Sequence, residues 1–109
     1  MYSYPAICRR VIDADSIVAE IDLGFSIKFN QPLRLFGINA PELNTPEGKR
    51  AKEFLAFLLE GKPVVVETVK DKKEKFGRYL ATVFLFGMQG IASINDKLVA
   101  EGYAVKKDY

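Results

Sequence analysis

The chain contains no histidine and a single cysteine, Cys8. Without histidine the commonest acid–base catalyst and metal ligand is missing, and one cysteine excludes an internal disulfide framework and a multi-cysteine zinc site. Catalysis here would run on carboxylates, lysine, arginine or a hard metal ion. A large charge of one sign is also lacking, since 16 basic and 14 acidic side chains leave a net +2. Bulk electrostatics therefore do not mark a nucleic-acid binder, and any anionic partner must be held by local clusters. Apolar runs are broken well before the ~18 residues that a membrane span needs, and Met1 is not followed by a basic-then-apolar leader. No membrane partner is expected, and a cytoplasmic rather than secreted location is. Repeats, low-complexity tracts and linker-like clusters are absent, so the 109 residues are expected to form one domain, 1–109, and a monomer.

What is present is a β-rich pattern. Ala6 to Asp13 reads as a strand, and Ser16 to Leu23 alternates, with Ile17, Ala19, Ile21 and Leu23 on one face. Gly24 marks a hairpin turn, after which Ile27, Phe29, Leu33 and Leu35 continue the alternation; Pro32 has no N–H for a ladder and belongs at an edge or bulge. Thr45-Pro46-Glu47 has the chemistry of a helix start: a capping hydroxyl, a proline suited to the first turn and an acidic group at the positive end of the dipole. Ala51, Phe54, Leu55 and Leu58 then recur at helical spacing up to a stop at Gly61. Val64 to Val69 and Tyr79 to Phe86 read as two further strands around a polar turn, Lys70 to Lys75, and a last short helix runs from Ser93 to Gly102. Three strands, a helix, two strands and a helix is the order of a mainly β, five-stranded OB-type barrel.

Three segments place charge where a core strand should end. Asp13-Ala14-Asp15 puts two carboxylates around one residue between strands, an oxygen-rich arrangement suited to Ca²⁺ or Mg²⁺. Arg34 alternates with Leu33 and Leu35 and is followed by Asn39, Ala40, Pro41 and Glu42, where the proline fixes a turn. Arg78 opens a hydrophobic strand behind Gly77. Singly, each reads as a solvated turn, an ion-paired arginine or a strand-edge arginine. Together, Asp15, Arg34, Glu42 and Arg78 make the set that phosphodiester hydrolysis needs: a cation or metal on the phosphate oxygens and a carboxylate to orient water.

Ile12-Asp13-Ala14-Asp15-Ser16, Leu33 through Glu42, Phe76-Gly77-Arg78 and the tail Ile94 through Ala104, in this order, resemble the signature segments of the thermonuclease (staphylococcal nuclease) family, and the resemblance covers almost the whole chain. It implies a Ca²⁺-dependent nuclease acting on DNA and/or RNA, with water attacking phosphorus and the 5′-oxygen leaving. Arg34 and Arg78 match the phosphate-clamping arginines and Glu42 the general base. Asp15 matches a calcium ligand, and Asn39 and the Ala40 backbone carbonyl match two further metal positions. Asn39 stands where an aspartate is usual, which implies weaker metal binding, and Ala14 replaces a common glycine, which requires a negative φ there. The alternative is a catalytically weak or inactive nucleic-acid-binding OB module. Degenerate copies of that kind usually lose the arginines or the glutamate, whereas this chain keeps all three.

Overall fold

The computed structural model describes residues 2–73 and 78–107, with residues 70–73 through their backbone only. Its elements are β1 (Tyr2–Asp13), β2 (Ser16–Asp22), β3 (Lys28–Leu35), β4 (Ile38–Asn39), α1 (Pro46–Leu59), β5 (Pro63–Lys73), β6 (Tyr79–Leu85), α2 (Ile94–Ala100) and β7 (Val105–Lys106). Five strands close into a barrel in the order β1-β2-β3-β6-β5, antiparallel except for the β3/β6 contact, while β4 and β7 pair separately. The expected OB-type barrel and both helices are therefore present. The polar stretch expected as a turn is in part strand, because β5 runs on to Lys73, which pairs with Tyr79. Residues 74 and 75 of that turn, with Phe76 and Gly77, lie outside the described residues.

The alternating apolar positions fill the barrel: Cys8, Val11, Ile17, Ala19, Leu33, Leu35, Val64, Val66, Ala81 and Val83 are buried in one cluster. Helix α1 covers β1 with Ala51, Leu55 and Leu59. Thr45 caps it through the Gly48 N–H, as its sequence indicated, and the chain leaves it at Gly61, whose φ of 77° is costly for any residue with a Cβ. Cys8 is a core residue rather than a reactive thiol, since burial, helped by the charge of Glu60, pushes its pKa up to about 11.

One expectation fails in the β2/β3 hairpin. Leu23, Ile27 and Phe29 are roughly half exposed rather than inward-facing. The cause is topological: among the described residues β6 joins β3 only along Leu33–Leu35, and the first half of β3 pairs only with β2. Pro32 lies opposite Val18 of β2 and just before the β6 contact, where among the described residues no ladder bond calls for its N–H.

Asn95 in α2 is buried and links three parts of the fold. Its Oδ1 accepts the Val83 N–H at 3.0 Å, and its Nδ2 donates to the Phe36 and Ala81 carbonyls at 2.9 and 3.0 Å. Truncation would strand the buried Val83 N–H and remove the donor to two carbonyls, at a cost larger than a single exposed hydrogen bond. Asn95→Ala is expected to lower unfolding free energy by about 2–3 kcal/mol in urea titration; an unchanged midpoint would mean that α2 does not depend on this link.

Candidate functional site

The turn between β1 and β2 presents Asp13 and Asp15 at one end of the barrel. Ala14 between them is buried and has no positive φ, so alanine is accommodated where glycine is usual. The Asp13 carboxylate accepts the Asp15 N–H at 3.1 Å, which fixes the turn. Asp15 then ties the turn to its neighbours. Its backbone carbonyl accepts the Leu35 N–H at 2.8 Å, and its carboxylate accepts the Ala40 N–H at 3.0 Å and the Ser16 hydroxyl at 3.3 Å. Arg34 reaches the same carboxylate at 3.5 Å.

Arg34 is buried, at 8% exposure, which its strand pattern alone does not indicate. The segment from Gly37 to Ala40 folds back over it, supported by β4/β7 pairing and by the Lys107 N–H donating to the Gly37 carbonyl. Nη1 donates to the Leu35 carbonyl at 3.0 Å and Nη2 to Asn39 Oδ1 at 2.6 Å. The guanidinium thus joins Asp15 to Asn39. On the other side Arg78 donates to the Ser16 hydroxyl, so a chain of contacts runs from Arg78 through Ser16 to Asp15 and on to Arg34. Asp15, Arg34, Asn39, Ala40 and Arg78 are brought together.

Glu42 stands two residues beyond this network. It is exposed, and its carboxylate makes no hydrogen bond or ion pair with the described residues. Its backbone, by contrast, is held: the Glu42 carbonyl accepts both the Thr45 N–H at 3.0 Å and the Thr45 hydroxyl at 2.6 Å. Ser16 is the site residue that sequence reasoning passed over. Hydropathy assigned it to the solvent side of a strand, yet it is fully buried between Asp15 and Arg78. Its position directly after Asp13-Ala14-Asp15 was the available signal. Tyr103 is engaged elsewhere, with its ring stacked on Phe54 at 4.4 Å.

The two aspartates titrate in opposite directions. Burial raises Asp13 to about 6, and the adjoining Asp15 carboxylate adds to the rise. Burial also opposes ionisation of Asp15, but hydrogen bonding from the Asp13 carboxyl, the Ala40 N–H, the Arg34 charge and the Ser16 hydroxyl together hold it below the usual carboxylate range. Asp15 is thus the first of the pair to ionise as pH rises, and Asp13 follows at about 6. Among the described residues no three Asp, Glu or Cys side chains converge as a metal cluster. Of the metal positions implied by the sequence, the Asp15 carboxylate and the Asn39 amide oxygen lie in this network, both in contact with Arg34, and Ala40 joins it through its N–H. Oxygen donors of this kind suit Ca²⁺, and Asp15 and Asn39 carry one negative charge between them.

Residues 32–109 match the family described as staphylococcal nuclease homologue. The chain belongs to that family. Among its relatives, the thermonuclease of Staphylococcus hyicus is 38% identical over 106 residues, covering 92% of this chain and 57% of the relative. The thermonuclease of Staphylococcus intermedius is 36% identical over 107 residues, covering 93% and 58%. The chain therefore spans a little over half the length of these staphylococcal nuclease relatives. No described helix is long and apolar enough to cross a membrane.

The titration of Asp13 has a measurable consequence in the metal-free protein. Between its ordinary value of 3.8 and about 6 the folded state binds more protons at Asp13 than the unfolded state, so stability falls as pH rises through that window. Asp15 acts the other way, contributing stability above the ordinary carboxylate range that is lost as pH falls. Asp13→Asn keeps an acceptor for the Asp15 N–H and removes the charge. In chelator, the variant is expected to be more stable than wild type at pH 7 by about 1–2 kcal/mol, after allowance for partial exposure, and to converge with it near pH 4. Parallel stability curves across that range would contradict this assignment.

Proposed function

We propose that the chain is a metal-dependent nuclease that hydrolyses phosphodiester bonds of DNA and/or RNA at the Asp15–Arg34–Arg78 end of the barrel. The observation that carries this reading is the network itself. Two arginines, one within β3 and one directly before β6, are tied to one low-pKa carboxylate, with Ser16 and the Ala40 N–H completing the links. Guanidinium groups recognise phosphate through fixed N–H forks, and a buried arginine held by Asp15 and Asn39 is oriented before substrate arrives, so its orientation costs little at the moment of reaction. Family membership and the thermonuclease relatives support the same reading.

In this mechanism Arg34 and Arg78 hold the nonbridging oxygens of the scissile phosphate and stabilise charge that builds on them. Glu42, exposed on its anchored loop, orients a water molecule and takes its proton as the oxygen attacks phosphorus. The bond from phosphorus to the 5′-oxygen breaks, leaving phosphate on the 3′ side and a hydroxyl on the 5′ side once that oxygen gains a proton. A Ca²⁺ ion, held by Asp15 with Asn39 and the Ala40 carbonyl, would supply further positive charge to the phosphate. Lys106 and Lys107, exposed beside β4, suit contact with the neighbouring nucleic-acid backbone.

The direct test is incubation of plasmid DNA and single-stranded RNA with the protein in Ca²⁺, Mg²⁺ or chelator. Cleavage with metal and its loss in chelator are expected; binding without cleavage under every condition would favour the non-catalytic OB module. Glu42→Gln and Arg78→Ala are each expected to lower turnover by at least about 100-fold with the fold intact. A variant that cuts at the wild-type rate would remove that residue from the mechanism. Asn39→Asp adds an anionic oxygen and is expected to lower the Ca²⁺ concentration for half-maximal cleavage. If calorimetry finds no tighter Ca²⁺ binding and the metal dependence is unmoved, Asn39 is not a ligand.

A further inference from the structure

Gly48 differs from the other described glycines in what requires it. Gly24, Gly37, Gly61, Gly87, Gly90 and Gly102 all have positive φ and open space where a Cβ would stand. Gly48 lies in the first turn of α1 without a left-handed backbone, and alanine is the better helix former at such a position. Its requirement is one of space. A Cβ built there would stand 1.9 Å from the Glu42 carbonyl oxygen, 2.6 Å from its carbon and 3.0 Å from the Leu43 Cα. All three are backbone atoms, which cannot swing aside as the end of a flexible side chain can.

The same carbonyl is the acceptor for the Thr45 N–H and the Thr45 hydroxyl, and that hydroxyl oxygen in turn accepts the Gly48 N–H at 3.0 Å. Upstream, the Ala40 N–H binds the Asp15 carboxylate. The segment bearing Glu42 is therefore fastened at both ends: to the β1/β2 turn through Ala40, and to the first turn of α1 through Thr45 and Gly48. The Glu42 side chain itself makes no hydrogen bond or ion pair among the described residues. Its place relative to Asp15 and the arginines is set by backbone alone.

We propose that Gly48 and Thr45 are positioning residues for Glu42, and that the missing Cβ at Gly48 lets the helix start seat the Glu42 backbone at the distance from Asp15 that the reaction needs. The proposal rests on the nuclease reading and deepens it. Neither residue touches substrate. Gly48→Ala must push Glu42–Leu43 off the helix, and a displacement of an ångström at a reacting group costs on the order of 100-fold in rate. Substrate binding, which the arginines carry, is left in place.

The test is a double-mutant cycle with a structural readout. In amide NMR spectra, Gly48→Ala is expected to shift Glu42, Leu43 and Thr45 while residues of the barrel core keep their positions; unchanged Glu42 and Leu43 signals would overturn the proposal whether or not the chain cleaves nucleic acid. In the cleavage assay, Gly48→Ala is expected to lower kcat on the order of 100-fold with KM changed by no more than about twofold. Introduced into Glu42→Gln, it should cost no more than about a further twofold, because the group it acts through is already gone. An equal loss in both backgrounds, or a loss confined to KM, would show that Gly48 does not act through Glu42. Should Gly48→Ala fail to fold, Thr45→Val carries the same cycle. It removes the hydroxyl bond to the Glu42 carbonyl, and Thr45→Ser restores it; the account requires loss with valine and recovery with serine, and equal rates for the two would overturn it. A wild-type chain that does not cleave at all would instead overturn the nuclease reading, with the NMR comparison still deciding the positioning claim.

Discussion

The Asp15 carboxylate is the constraint on which the site depends. A carboxylate in this half-buried position stays ionised only if donors surround it, and Ala40, Ser16 and Arg34 supply them from three different parts of the chain. Each of those contacts also places something. Ala40 brings the Glu42 loop alongside, Ser16 holds Arg78, and Arg34 fixes Asn39. One buried negative charge thus organises two arginines and a loop that share no strand. Its backbone carbonyl, bonded to Leu35, joins the same turn to the end of β3 and so to the barrel.

The arrangement also accounts for why a largely buried polar cluster sits at the end of an apolar core. The barrel supplies three strand ends, those of β1, β3 and the start of β6, that approach one another because β3 and β6 pair only over Leu33–Leu35. Arg34 lies within that short parallel contact and Arg78 immediately before it. The neighbouring β4/β7 pair carries Asn39 onto Arg34, and the Asn95 links fasten the Phe36 turn to β6. Arg34 is borne by β3 and Arg78 stands directly before β6, whereas Glu42 is borne by a strap held by the Thr45 hydroxyl and packed against Gly48.

Much of this was legible in the sequence. Period-two alternation located the barrel strands, and Thr45, Gly61 and Ser93 marked helix ends through their capping chemistry. Asp15, Arg34, Asn39 and Arg78, singled out in the Asp-x-Asp, Arg34–Glu42 and Arg78 segments, are joined by contacts at one end of the barrel, whereas the Glu42 carboxylate is outside that network. Burial of Arg34 was not legible, because it results from a two-residue pairing, β4 with β7, between segments far apart in the chain. Ser16 was hidden for the same reason, its partner being 62 residues away. The half-exposed Leu23, Ile27 and Phe29 went the other way: alternation reports a strand with two faces but not which stretch of it has a second neighbour. The steric role of Gly48 is likewise a contact that no spacing rule reveals.

The central claim is that phosphate is bound where Arg34 and Arg78 meet Asp15. It is tested most directly by following the arginine Nε–H signals in NMR while titrating a phosphorothioate-protected oligonucleotide in the presence of Ca²⁺. The account predicts that the Arg34 and Arg78 signals shift together and saturate with the same affinity, ahead of the other arginines. If the oligonucleotide binds while those two signals stay fixed and the shifts fall instead on the β2/β3 hairpin, the site described here is not where this protein holds nucleic acid.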